Sequence, residues 1–350
     1  MVRELTRETG RQLHEQARAA WKWRGRPVKL VDGTGISMPD TPSNQARFPQ
    51  ASSQAEGVGF PLAYLVAVIC LASGAVLEAA LGTYAGKGSG ELTAFRMLQD
   101  TFRRGDVIVA DALYCHYFLM ASMIAAGVDV VMEQHGARRT DFRRGKSLVG
   151  MRDHIVTWPK PRQRPDWMTR EQYQAFPDEL MVRESRLHHR VLVTTMLDAR
   201  KTNKQDLSQL YARRWNVELD LRNIKTTMGM DVLHCQTAHM NEKEIWVHLL
   251  AYNVIRLLMA QAASHYATDP RTLSFKHTVQ LWTEWLARGL TATHDQSLLF
   301  NLIAQSCVGN RSGRIEPRMR KRRPKSYPWL KEPRHIARER IRKYGHAPRA

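Results

Sequence analysis

Between residues 28 and 134 the apolar residues come in short runs, and their order constrains the fold more than any other feature. VKLVD (28–32) reads as a short buried strand ending at Asp32, followed by a Gly-Thr-Gly turn. The stretch 37–56 is rich in Pro, Ser, Asn and Gln and reads as a loop. GFPLAYLVAVICLAS and AVLEAALGTYAG, separated at Gly74, read as a pair of strands. SGELTAFRMLQDTFRR (89–104) has helical periodicity with Ser89 as its cap. DVIVADALYC (106–115) reads as a buried strand with Asp111 near its end, 116–126 as an apolar helix, and VDVVMEQ (128–134) as a further strand. Three strands, a helix, a strand, a helix and a strand make an α/β plan, a mixed sheet covered by helices.

The rest of the chain divides by composition. Residues 1–27 read as an N-terminal helical segment, and 28–134 as the first part of the core. Residues 135–205 open with the basic loop HGARRTDFRRGK and continue as short β-like runs, a β-rich insertion. Residues 206–310 read as helices that complete the core, including the long apolar EKEIWVHLLAYNVIRLLMAQAA (242–263). Residues 311–350 form a basic tail.

The stretch YARRWNVELDLRNIK carries a second constraint. At about 100° per residue, Tyr211, Arg214, Glu218 and Lys225 fall near 0°, 300°, 340° and 320° of a helical wheel, in one stripe about 60° wide. Leu210, Val217, Leu221, Ile224 and Met228 line the neighbouring face. Asp206 with Gln209 reads as a capping box and Gly229 as the stop. Charged helix faces are usually just solvated. A tyrosine, two cations and a carboxylate in one stripe make a poor core and a good polar site.

Charge points to the partner. The chain has 53 Lys and Arg against 33 Asp and Glu, a net charge of +20. That excess favours a polyanion, most simply nucleic acid. The tail from Arg311 contributes fifteen cations against three Glu, and RMRKRRPK (318–325) is its densest run. Arg320, Lys321, Arg322 and Arg323 are therefore candidates for phosphate contact, with Tyr327 and Trp329 available for stacking. MVRELTRETG lacks the apolar core of a signal peptide. The apolar stretch Phe60 to Ala72 is too short to span a bilayer. No membrane partner and a cytoplasmic location are expected. Cys70, Cys115, Cys235 and Cys307 form no CxxC pair, which argues against a disulfide framework or zinc knuckle.

Phosphodiester chemistry with two metal ions needs carboxylates converging from several rigid elements. Asp32 at a strand end, Asp111 near another and Glu218 on the helix are such a set. A charge among the apolar neighbours of VIVADALY is costly unless paired or metal-bound. Glu91 and Asp106 read as a helix start and a strand-edge turn, and Asp40 as part of a polar loop.

With these motifs the chain resembles the DDE transposases of the insertion sequence 4 superfamily, from about residue 28 to about residue 335. VDGTGISMPDTPSN resembles the family's first-aspartate segment and GDVIVADALY its second. YARRWNVELDLRNIK matches the Y-x2-R-x3-E-x6-K signature. HGARRTDFRRGK and KRRPKSYPWL are similar to one branch. The 107 residues from Asp111 to Glu218 suit the family's β-rich insertion. Ala112 and Leu113 depart from the familiar glycine or arginine, and Tyr114 fits.

The resemblance implies a ribonuclease H-like core binding two Mg²⁺ ions, or Mn²⁺ in their place, through Asp32, Asp111 and Glu218. It implies nicking of transposon ends and joining to target DNA, commonly through a hairpin intermediate. Tyr211, Arg214 and Lys225 are then expected to contact DNA phosphates, and a homodimer to form on double-stranded DNA at the bacterial nucleoid. An insertion aromatic, Trp158 or Trp167, is expected to hold a flipped base. The rival readings are a nuclease without strand transfer and a repurposed DNA-binding protein. The latter's usual mark, a lost acid, is absent here.

Overall fold

The computed structural model describes residues 1–86, 88–148, 151–289, 293–308 and 330–345. Arg320, Lys321, Arg322, Arg323, Tyr327 and Trp329 lie outside the described residues.

The chain opens with α1 (Val2–Glu15), then β1 (Val28–Ser37), the short α2 (Pro42–Arg47), and the hairpin β2 (Leu62–Cys70) and β3 (Val76–Thr83). There follow α3 (Glu91–Arg96), β4 (Val107–Ala110), α4 (Tyr117–Ala125) and β5 (Asp129–Glu133). The expected insertion holds β6 (Lys146–Ser147), β7 (Asp153–Pro159), α5 (Arg170–Ala175), β8 (Glu179–Leu187) and β9 (Arg190–Thr194). Next come α6 (Lys204–Ala212), α7 (Trp215–Arg222), α8 (Ala238–His265), α9 (Phe275–Ala287), α10 (Thr293–Gln305) and α11 (Arg334–Tyr344).

Among the described residues nine strands form one sheet, in the order β3-β2-β1-β4-β5-β9-β8-β7-β6. β1 pairs antiparallel with β2 and parallel with β4, and β4 pairs parallel with β5. The order 3-2-1-4-5 with its second strand reversed is the ribonuclease H-like arrangement. β9 joins antiparallel to β5, so the strands of 135–205 extend that sheet. β4 and the middles of β1 (Leu30 and Val31) and β5 (Val130 to Met132) are apolar and buried because both faces are covered there.

Several local expectations are corrected. β1 does not stop at Asp32 but runs to Ser37, paired with β2 from Lys29↔Cys70 to Ser37↔Leu62. The two glycines that read as a turn lie within this strand, and at Gly33 the missing Cβ permits the close approach of another side chain. α3 is capped by Gly90 at φ 100°, not by Ser89, and gives way to a tight turn at Gln99–Thr101. There Asp106 accepts the Arg103 amide (2.7 Å) and pairs with buried Lys29 (2.6 Å). Asp106 is thus a buried ion-pair partner as well as a turn residue.

The expected single signature helix is three pieces. α6 is opened by Asn203, whose side chain accepts from the Asp206 amide, so Asp206 is the third residue of the capping box and not its cap. Three-residue hydrogen bonds, Arg213 N to Leu210 O and Arg214 N to Tyr211 O, tighten the junction before α7. A wider π turn, Asn223–Thr227, follows. Gly229, at φ 79°, supplies the left-handed conformation that stops it.

α8, not Phe60–Ala72, is the segment long and apolar enough to cross a bilayer among the described residues, and half of its apolar window is buried. It packs against α1, α9 and α10. Its Asn253 side chain accepts from Val76 N (2.8 Å) and donates to Val76 O (2.8 Å) and Thr6 O (3.0 Å), satisfying backbone groups of the edge strand β3 and of α1. These are the contacts of a core helix.

Candidate active site

Two parallel neighbours bring the first two acids together. Leu30 on β1 is in register with Val109 on β4. Asp32 and Asp111 each lie two residues further on, so side-chain alternation turns both to the same face of the sheet. Asp32 Oδ1 accepts from the Gly33 amide (2.9 Å). Asp111 follows the last residue of β4, and its Oδ1 accepts from the Leu113 amide (2.9 Å), capping the tight turn Ala112–Tyr114. α7 packs on β1 and contributes Glu218.

Arg214 stands between two of the acids. Its Nη2 donates to Glu218 Oε1 at 2.6 Å, and its Nη1 lies 3.5 Å from Asp32 Oδ2. Lys225 Nζ donates to Gly35 O (2.8 Å) and Thr34 Oγ1 (3.2 Å), tying the π turn to β1. Asp32, Gly33, Thr34, Glu218, Arg222 and Lys225 line a cleft of about 290 Å³. Asp111 stands beside that cleft without lining it. Tyr211 parts from the other three signature residues: it is buried, and its hydroxyl donates to Glu133 Oε2 at the end of β5 (3.2 Å).

Glu91, which reads in sequence as a helix start, also reaches this site. Its Oε1 accepts from the Tyr114 hydroxyl (2.5 Å). A Cβ on Gly33 would lie 2.5 Å from the same oxygen. No periodicity or spacing connects Glu91 to Gly33 or Tyr114; the one available signal is a glycine inside a strand beside an acid.

Crowding shows in proton affinities. Burial pushes the Asp32 carboxyl up to about 6; the Gly33 amide and Arg214 oppose this, and Asp111 and Glu91 add to it. Burial also raises Glu91, opposed by the Tyr114 hydroxyl and reinforced by Asp111. Burial and the Glu91 charge push the Tyr114 hydroxyl far above its ordinary value.

The donors are all carboxylate oxygens, the ligands Mg²⁺ and Mn²⁺ accept. With Glu218 turned onto Arg214, no group of three or more His, Cys, Asp or Glu among the described residues is arranged to hold a metal ion. The residue types fit a hard cation, and Arg214 occupies the position of a counter-charge between two of them.

A second hollow, apolar in much of its wall and rimmed by cations, lies beyond Asp111. Arg96, His116, His135, Arg138, Arg139 and Trp167 are among the residues lining a cavity of about 720 Å³. Burial, then Arg96, pushes His116 down to about 4. The guanidinium of Arg96 lies 4.4 Å from the Trp167 ring centre, and Trp167 is 46% exposed. Trp158 is 2% exposed, donates to Glu184 Oε1 (2.8 Å) and is covered by Arg138 at 3.7 Å. Of the two expected aromatics, Trp158 is committed to the core and Trp167 is open.

Comparison with known proteins gives three findings. A family model described as Transposase DDE domain matches residues 23–254. The transposase InsG for insertion sequence element IS4 of Escherichia coli (strain K12) is 28% identical over 341 residues, covering 93% of this chain and 74% of that protein. Among solved structures, a cryo-EM structure of the piggyBac transposase synaptic complex with hairpin DNA aligns with 82% of this chain at 9% identity and a TM-score of 0.47. The chain spans 58% of that protein's length.

Proposed function

The chain belongs to the DDE transposase family, and from that premise we propose that it cuts the ends of its element and joins them to target DNA, using Asp32, Asp111 and Glu218 to hold two Mg²⁺ ions. Mn²⁺ would substitute. The observation that carries this reading is the convergence of three acids from β1, the end of β4 and α7, with one of them pushed up to about 6 by burial and acidic neighbours. Perturbed carboxylates in a cleft are characteristic of functional sites.

Bound there, the two ions supply charge that activates the attacking water or 3′-hydroxyl and stabilises the leaving oxygen. The protein's own groups do the rest. Asp32, mid-strand and paired with Ala67 of β2, is held in its register. Asp111 is fixed by the turn it caps. Glu218 and Arg214 exchange partners: as DNA enters, the guanidinium turns from the two carboxylates to a phosphate, which suits its planar fork. Lys225, anchored on Thr34 and Gly35, presents its charge to the neighbouring backbone phosphate. Tyr211, buried with its hydroxyl on Glu133, braces the site from the β5 side in place of the DNA contact its spacing suggests. Trp167, open and stacked by Arg96, takes the base displaced when the hairpin forms.

Pairing two ends calls for a dimer on the DNA. The basic tail, including Arg320, Lys321, Arg322 and Arg323, adds contacts to the phosphate backbone. The reaction would take place at the bacterial chromosome.

The test is a cleavage and joining assay with Mg²⁺ on DNA carrying the element's own flanking ends, with Asp111→Ala beside wild type. The reading expects nicked and joined products from wild type and neither from the variant. Cut DNA released without joined products would instead establish a nuclease. Cleavage by Asp111→Ala at the wild-type rate would remove the acid from the site.

A further inference from the structure

A fourth carboxylate is built into the same place. An acid in the first turn of a helix ordinarily complements the helix dipole, and Glu91 could do no more than that. Three observations exceed that role. Its carboxyl group occupies the space over Gly33, where a Cβ would lie 2.5 Å from Oε1 and 2.6 Å from Cδ. The residue after Asp32 must therefore be glycine for Glu91 to lie where it does, beside Asp32. Second, its Oε1 accepts from Tyr114 Oη (2.5 Å), and Tyr114 ends the turn that Asp111 caps. Glu91 is thus tied to the segments of both aspartates. Third, buried acids elsewhere in this chain are matched to cations, Asp106 to Lys29, Asp153 to Arg183 and Asp220 to Arg256. Glu91 is half-buried among acids, and the groups that favour its charge are neutral, the Tyr114 hydroxyl and the Gly33 backbone.

We propose that Glu91 is a further carboxylate of the catalytic centre, sharing with Asp32 and Asp111 in holding divalent cations. The inference rests on the reading of Asp32, Asp111 and Glu218 as cation-holding residues. It adds a residue that lies outside the signature, on the first turn of α3.

The experiment is Mn²⁺ binding to the full-length protein without DNA, read from the electron paramagnetic resonance signal of free Mn²⁺. Wild type is compared with Asp32→Asn, Glu91→Gln and Gly33→Ala, with unfolding curves to verify that each is folded. Glu91→Gln keeps an acceptor for Tyr114 and removes only the charge. Gly33→Ala keeps every acid and drives a methyl group into the Glu91 carboxyl. Both should weaken Mn²⁺ binding by about tenfold, the lower end of effects seen around metal sites. If Asp32→Asn weakens binding while Glu91→Gln and Gly33→Ala do not, Glu91 is overturned and the three-acid reading survives. If Asp32→Asn leaves binding unchanged too, the three-acid reading falls and takes the inference with it. Should Glu91→Gln fail to fold, Gly33→Ala decides alone.

Discussion

Glu218 and Asp220 sit two residues apart on one short helix and have opposite surroundings. Asp220 is 1% exposed, and its carboxylate accepts from Tyr252 (2.9 Å), from both contacts of Arg271 Nη1 (2.8 Å each) and from Arg256. Glu218 faces the cleft and shares one guanidinium with Asp32. The same contrast divides the sheet. In the β7–β8 extension, Arg183 grips Asp153 through Nε (2.8 Å) and Nη2 (2.6 Å), with Ser185 as a further donor. On the β1–β4 side, Asp111 raises the proton affinity of both Asp32 and Glu91, and Glu91 adds to that of Asp32. Acids matched to cations hold the fold together. Acids gathered beside each other cost stability, which is reasonable only where a cation or substrate is to be bound.

The largest test breaks the matched side. Arg183→Ala leaves Asp153 buried without its bidentate partner and should cost about 3–5 kcal/mol, read as lowered stability in urea. A loss under about 1 kcal/mol would mean that the matched pairs do not carry the fold.

Asp32→Asn should act in the opposite direction. The carboxyl is raised from 3.8 to about 6 on folding, so the folded state disfavours its charge. Below about pH 4 the group is protonated in both states and contributes nothing. The penalty grows between about 4 and 6 and is full above 6. Asp32→Asn should therefore stabilise the metal-free protein by roughly 2–3 kcal/mol at pH 7 and by nothing near pH 3.5. A variant less stable than wild type at pH 7 would show that Asp32 is a matched acid. By the same sign, divalent-cation affinity should fall as pH drops through about 6.

The smallest effect sharpens the boundary between the two regions. Arg214→Gln removes the shared guanidinium and should cost the metal-free protein about 1 kcal/mol. Added Mn²⁺ should recover part of that loss. No recovery would place Arg214 among the structural cations.

What the sequence made legible follows from how local each cause is. Asp111 was visible because a charge inside VIVADALY needs a reason. The signature stripe was visible because helical spacing alone put Arg214, Glu218 and Lys225 on one face, although the helix is in fact broken at Arg213 and widened at Asn223. The α/β plan of 28–134 followed from apolar runs. The end of β1 was misread because Gly-Thr-Gly has a local turn signal, while the strand's length is set by nine residues of pairing with β2. Glu91 was read as a helix start because what distinguishes it, Gly33 below and Tyr114 beside it, is distant in sequence. Trp158 and Trp167 could not be told apart without the β7–β8 pairing, which buries one against Glu184.

The division between functional and structural acids is tested most directly on α7. Glu218→Gln and Asp220→Asn, two residues apart, should be compared for DNA cleavage with Mg²⁺ and for thermal unfolding. The account predicts that Glu218→Gln loses cleavage by on the order of 10³-fold and unfolds close to the wild-type temperature. It predicts that Asp220→Asn unfolds well below it. Near-wild-type cleavage by Glu218→Gln, or unfolding as early as Asp220→Asn, would contradict the account.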